Sequence, residues 1–241
     1  VTRLPDEYID AARMRANRFA ACWDQGTSGS LAADVRRLLL EREAMLHEID
    51  QLRRPEPPRV VGFAGYAGAG KNAAADALGG VVLGFADPLY AGLSMMLGVP
   101  ESALRDRATK ELPLPLGRSP RHLLQTLGTE WGRELVRSDL WIYRARQRVA
   151  EAARLGATVI AFSDVRFRNE LKFLRDELGG QVWWIERLGV VGGSHASDNS
   201  LTAADCDRVL RNDGSRDQLT WAVRAAWREA GAEAASSGSR R

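Results

Sequence analysis

Apolar positions along this 241-residue chain fall into alternating patterns after about residue 58. Short, mostly apolar runs at Val60 to Ala64, Val81 to Phe85, Ala157 to Phe162, Gln181 to Ile185 and Arg208 to Leu210 predict five strands. The third is almost wholly apolar, as expected of a strand covered on both faces. Helical signals lie between them. Ala73 to Leu78 is alanine-rich, and Asp87-Pro88 opens a helix through Leu97. Ser119 caps and Pro120 starts a helix that runs through Leu127 to Gly128. Leu140 to Leu155 forms another. Asn169 is placed to cap a helix with Leu171, Leu174 and Leu178 on one face, which Gly179-Gly180 stops. Ser215 and Gln218 make a capping box for a last helix, packed through Leu219, Val223 and Trp227. Residues 99–118 show no clear periodicity and predict a mobile loop or an inserted helical element. Strands joined by helical crossovers imply an α/β, three-layer fold with a five-stranded parallel sheet.

The flanks differ. Residues 1–57 predict a helical extension: a charged helical stretch to Trp23, a joint at Gln25 to Ser30, then a helix from Leu31 to Arg54. Val35, Leu38, Met45, Ile49 and Leu52 fit a heptad seam broken by Arg42. The seam suits a short coiled coil, and so a homodimer, or equally a hairpin packed on its own domain. Pro55, Pro57 and Pro58 form a stiff linker. The nucleotide-binding domain is expected over 58–231, and the Ser-, Ala- and Arg-rich residues 232–241 as a disordered tail.

Composition narrows the function classes. A formal charge of +3 with both signs interspersed makes no case for direct nucleic-acid binding, despite a pI of about 9.1. Cys22 and Cys206 lie far apart in no metal-ligand spacing, which fits a reducing cytoplasmic compartment. No uncharged apolar run is long enough for a membrane span.

The chemistry gathers at the strand ends, where parallel sheets place ligands. After the first strand comes Gly65-x-x-x-x-Gly70-Lys71, a phosphate-binding loop. Its backbone amides and the following helix N-terminus converge on an anion, and Lys71 adds a full charge for the terminal phosphates of ATP. The candidate ATP contacts there are Gly65, Gly68, Ala69, Gly70, Lys71, Asn72 and Ala73. Asn72 stands where Ser or Thr usually helps to hold Mg2+. Asp164, after the third strand, is therefore the candidate Mg2+ residue, directly or through water. Arg121 and Arg166 suit a second phosphate, because guanidinium forks match phosphate oxygens. Gln125 shares a helix face with Arg121. Arg187 or Arg168 can bridge the transferring group, and Asp87 can orient the surroundings of the acceptor. Trp131 and Trp141 can stack on a base or pack in the core, and His195 sits in a glycine-rich loop. The set is what phosphoryl transfer requires, positioning and charge neutralisation.

Ser119-Pro120-Arg121-His122-Leu123-Leu124-Gln125-Thr126-Leu127-Gly128-Thr129-Glu130, with Trp141 downstream, resembles the bacteriophage deoxynucleoside monophosphate kinases. The resemblance continues through Gly156 to Ile160, Asp164-Val165-Arg166, Glu170, Arg187, His195 and Asn212-Asp213-Gly214-Ser215, and covers about residues 59–225. It implies a P-loop nucleoside monophosphate kinase fold and transfer of the terminal phosphate of ATP, with Mg2+, to a deoxynucleoside monophosphate. It implies that Gly70 and Lys71 belong to the ATP site and that Asn212 and Gly214 fall near the adenine. Arg121, Gln125, Thr129 and Trp141 would bind the monophosphate, with Asp164 and Arg166 between the two sites. Asn72 and Ala73 depart from the family's usual Asp and Thr, and residues 1–57 have no counterpart in it. Two alternatives stay open: another small-molecule kinase of this fold, such as a dephospho-coenzyme A kinase, and a nucleotide-binding structural protein with little catalysis.

Overall fold

The structure, a computed structural model, describes residues 37–46, 57–106, 108–192 and 200–238. The chain divides into two compact units, Val1–Glu56 and Pro57–Arg241. In the first, 37–46 is helical, with an Arg37–Glu41 ion pair one turn apart at 3.2 Å. Met45 is half exposed there, and the seam positions Val35, Ile49 and Leu52 lie outside the described residues.

The second unit is built on five parallel strands: β1 (Arg59–Ala64), β2 (Val81–Leu83), β3 (Val159–Phe162), β4 (Gln181–Glu186) and β5 (Arg208–Arg211). Their spatial order is β2-β3-β1-β4-β5. β1 is central, pairing Val61 with Ala161 of β3 on one side and Gly62 with Val182 of β4 on the other. Every residue of β1 after Arg59 is buried, which explains its unbroken apolar run.

Among the described residues, seven α-helices surround the sheet: α1 (Lys71–Asp76), α2 (Asp87–Leu97), α3 (Glu101–Arg105), α4 (Pro120–Gln125), α5 (Leu140–Arg154), α6 (Arg168–Lys172) and α7 (Arg216–Gly238). One face of the sheet packs Phe85, Phe162 and Phe173 with Ile142 and Val149 of α5. The other packs Phe63 and Trp183 with Ala74 of α1 and Leu219 and Val223 of α7. A third cluster, Leu89, Tyr90, Leu93, Leu104, Leu124 and Trp141, stands beside the sheet and forms the body of a lobe built from α2 to α5. Among the described residues no helix is long and apolar enough to cross a membrane.

The helix started by Ser119, whose Oγ accepts from the His122 amide at 3.3 Å, does not stop at Gly128. It widens into a π-helix over Thr126–Val136. Gly128 and Gly132 serve close packing within it: a Cβ at Gly132 would lie 2.5 Å from the Trp141 ring. The Trp141 indole donates to the Gly128 carbonyl at 2.8 Å. Asn169 does not cap α6, which starts at Arg168; its amide instead donates to Ser138 O at 3.0 Å. The capping box of α7 is present, with Ser215 N donating to Gln218 Oε1 and Gln218 N to Ser215 Oγ. α7 runs on to Gly238, so 232–238 is helix rather than a disordered tail. The alanines counted toward that tail have high helix propensity and sustain the helix.

Candidate active site

The donor end is made almost entirely of backbone. Gly65, Gly68 and Gly70 have φ of 136, 91 and 106°, the left-handed region open to glycine. Two of them are fixed by contact as well as by dihedral. A Cβ on Gly65 would lie 2.5 Å from the Ile185 carbonyl, and one on Gly70 would lie 2.3 Å from Asn212 Nδ2. Lys71 folds back into the loop, donating to Gly65 O at 2.7 Å and Tyr66 O at 2.8 Å. Its ammonium is thereby held inside the curl where a phosphate would sit. Asn212, just after β5, is buried and donates to Ala69 O at 2.7 Å, bracing the loop from behind. Arg187 reaches Gly68 O at 3.4 Å. Beyond the loop an open groove is rimmed by Gly70, Asn72, Ala73, Arg187, Asn212 and Gly214. The structure therefore gathers ATP-contact candidates from distant segments into one groove.

The acceptor end is made of side chains. A cleft of about 670 Å³, partly open to solvent, lies between α2, the long α4 helix and the β3–α6 loop. Arg121, Gln125, Thr129, Trp141, Asp164 and Arg166 all line it. Arg121 donates to Glu111 at 3.1 Å. The Asp164 carboxylate accepts from the backbone amides of Phe85 (2.8 Å) and Ala86 (2.9 Å), which fixes the turn after β2. Burial is the main force on Asp164 and pushes its carboxyl above the ordinary range, against those amides and Arg166.

Two expected residues are elsewhere. Asp87 does not line the cleft. It accepts from Gly84 N at 2.7 Å and pairs with Arg105 (3.0 Å) and Arg148 (2.8 Å), so it organises the first turn of α2. Arg168 is exposed and pairs with Asp205 at 2.9 Å, away from both clefts. His195 lies outside the described residues.

The cleft also holds residues to which the sequence assigned no role. Lys110, from the aperiodic 99–118 segment, contacts the Tyr90 hydroxyl. Arg133 pairs with Glu170, and both face the cleft. Arg121, Gln125, Thr129 and Arg133 recur every four residues, so extending the helix past Gly128 would have found the last. Glu170 is fully buried, and burial pushes its carboxyl up to about 7 against the pull of Arg133, with Asp164 adding to the rise.

Arg166 adjoins both regions: it lines the acceptor cleft and also a small recess, separate from the donor groove, that Gly65, Tyr66 and Ala67 of the phosphate loop form with Val165, Trp184 and Leu201. Among the described residues no group of three or more His, Cys, Asp or Glu is placed to hold a metal by itself. Asp164 is a buried carboxylate whose two oxygens each already accept from a backbone amide, so a cation there would rest on their remaining lone pairs and chiefly on substrate phosphates.

Comparison with known proteins agrees with this geometry. A family model for deoxynucleotide monophosphate kinase matches residues 117–223, the segment that carries most of the acceptor cleft. A protein of Acanthamoeba polyphaga mimivirus, named as a candidate deoxynucleotide monophosphate kinase, is 31% identical over 170 residues, spanning 64% of this chain and 88% of the viral protein. The deoxynucleoside-5'-monophosphate kinase of Escherichia phage T5 is 41% identical over 101 residues, 39% of each chain. With a relative matched over nearly its whole length and a phosphate loop facing an acceptor cleft, this chain belongs to the deoxynucleotide monophosphate kinase family.

Proposed function

We propose that this protein transfers the terminal phosphate of ATP to the 5′-phosphate of a deoxynucleoside monophosphate, yielding ADP and the diphosphate. The observation that carries this reading is Arg166, which borders both the phosphate loop and the acceptor cleft. A reaction between two phosphates needs such a meeting point.

The charges support the assignment. Lys110, Arg121, Arg133 and Arg166 line the cleft against Asp164 and Glu170. Arg133 and Glu170 cancel each other, and the rest leave a positive surplus suited to a phosphate dianion. The reacting oxygen of the acceptor is already anionic, so no general base is needed; the protein aligns and neutralises. Lys71 leaves its loop carbonyls for the terminal phosphates of ATP, and the amides from Gly68 to Ala73 cradle them. Arg187, beside Gly68, steadies the transferring group, while Asn212 and Gly214 border the adenine. Arg121 and Arg166 hold the acceptor phosphate, and Gln125, Thr129 and Trp141 face its sugar and base. Asp164 would hold Mg2+ together with the phosphates of ATP, and Asn72 offers at most a weak amide oxygen. When bound, Mg2+ neutralises charge on the transferring oxygens.

ADP release with ATP, Mg2+ and a panel of deoxy- and ribonucleoside monophosphates tests the proposal. Turnover of at least one deoxynucleotide is expected. No turnover across the panel would reject it.

A further inference from the structure

A buried carboxylate is an awkward neighbour for an anionic substrate. Glu170 is only 1% exposed, yet it faces the acceptor cleft. It has no proton to take, since the acceptor phosphate attacks as an anion. Its bonds show another task. Oε2 accepts from the backbone amides of Arg166 (2.7 Å) and Phe167 (3.0 Å). The other oxygen accepts from Arg133 Nη2. Arg133 in turn lies 3.9 Å over the Phe167 ring and reaches Ser138 O at 3.4 Å. One carboxylate thus ties the loop bearing Arg166 to the π-helical end of the α4 helix, and occupies Arg133 while doing so.

Of the cations on this cleft, Arg166 and Arg133 offer a phosphate dianion a choice of wall. Bound at Arg166, it stands beside the phosphate loop; bound at Arg133, it is drawn to a different wall. Resting on the kinase reading above, we propose that Glu170 is a positioning residue that fixes Arg166 and withdraws Arg133 from competition for the acceptor phosphate. Glu170 makes no contact with the reacting atoms in this role. It steers the acceptor into the productive register, by repulsion at the wrong place as much as by order at the right one.

The test is kinetic, at pH 8, on the full chain. In Glu170→Gln the remaining side-chain oxygen still accepts from the two amides, but the charge that neutralises Arg133 is gone. There kcat is expected to fall about tenfold or more while the acceptor Kd stays level or tightens, the signature of non-productive binding. The KM for ATP should stay within about twofold, because the donor groove is untouched. Adding Arg133→Met removes the competing cation, and the double variant should recover kcat to within about threefold of the parent. A purely structural Glu170 predicts weaker acceptor binding in the single variant and no recovery in the double. If the single variant fails to fold, the double variant still decides the matter, because removing both partners leaves no uncompensated buried charge. Parental kcat in Glu170→Gln, an acceptor Kd that weakens with kcat, or a loss that Arg133→Met does not reverse each overturn the proposal. Absence of turnover by the unaltered protein would instead reject the kinase reading itself.

Discussion

The donor and acceptor ends proposed for this site are built by opposite means. The donor end is glycine-rich backbone between β1 and α1, braced by one asparagine. The acceptor end draws on α2, the 99–118 segment, the long α4 helix, α5 and the β3–α6 loop, and the groups it offers are side chains. A backbone cradle is rigid and indifferent to what hangs from the phosphate. A side-chain cleft can be shaped to one partner, but each charge in it must be balanced or held. Lys71 satisfies this by folding onto carbonyls, whereas Arg133 and Glu170 satisfy it by pairing.

The contrast predicts how each end fails. Lys71→Ala should lower kcat by about a thousandfold or more, since the charge is needed most in the transition state. Thermal protection by deoxynucleotides should survive it, which a shared site would not allow. Gly70→Ala forces a left-handed residue onto Asn212 and should weaken ATP binding by about a hundredfold, with the acceptor Kd unchanged, as read by calorimetry. Arg166→Ala should lower kcat and raise the acceptor KM together, by about tenfold to a hundredfold overall, because the charge-assisted bonds proposed to the two phosphates would be lost. If only one substrate is affected, the two ends do not meet there.

A gentler test uses pH. Because burial raises the Glu170 carboxyl from 4.5 to about 7, its stabilising contribution is full below about pH 4.5 and is lost as the pH rises through about 7. The Tm of the parent minus that of Glu170→Gln should therefore fall across that window. A flat difference would mean that the amides and Arg133 compensate the burial. Asn72→Ser is expected to have the smallest effect, a severalfold gain at most in Mg2+ affinity measured by titration of activity, as a hydroxyl replaces an amide. No change would place the metal out of reach of this position.

What could be read in the sequence follows the same division. The phosphate loop is legible because its constraint is local: a buried strand, three glycines with positive φ and a lysine lie within one short run. Strands β1, β3 and β4 were legible for a related reason, since burial on both faces leaves little but apolar residues. The helix past Gly128 was misjudged because glycine ordinarily ends helices, and only the ring of Trp141, packed against Gly132, shows why it does not here. Lys110 had no period to announce it. Asp87 was in the right place along the chain, but Arg105 and Arg148 claim it. The Ser-, Ala- and Arg-rich end of the chain reads as a tail, but its alanines suit a helix equally well, and α7 runs to Gly238.

Arg166 carries one more consequence. If Arg166, which adjoins both the acceptor cleft and the phosphate loop, meets both substrates as proposed, its engagement by one alters its disposition toward the other. The two binding events are then linked, and linkage at equilibrium is symmetric. Whatever factor ATP adds to the affinity for the monophosphate, the monophosphate must return to ATP. Order of addition is then a kinetic preference, and any cooperativity between the substrates would have its physical address in the β3–α6 loop.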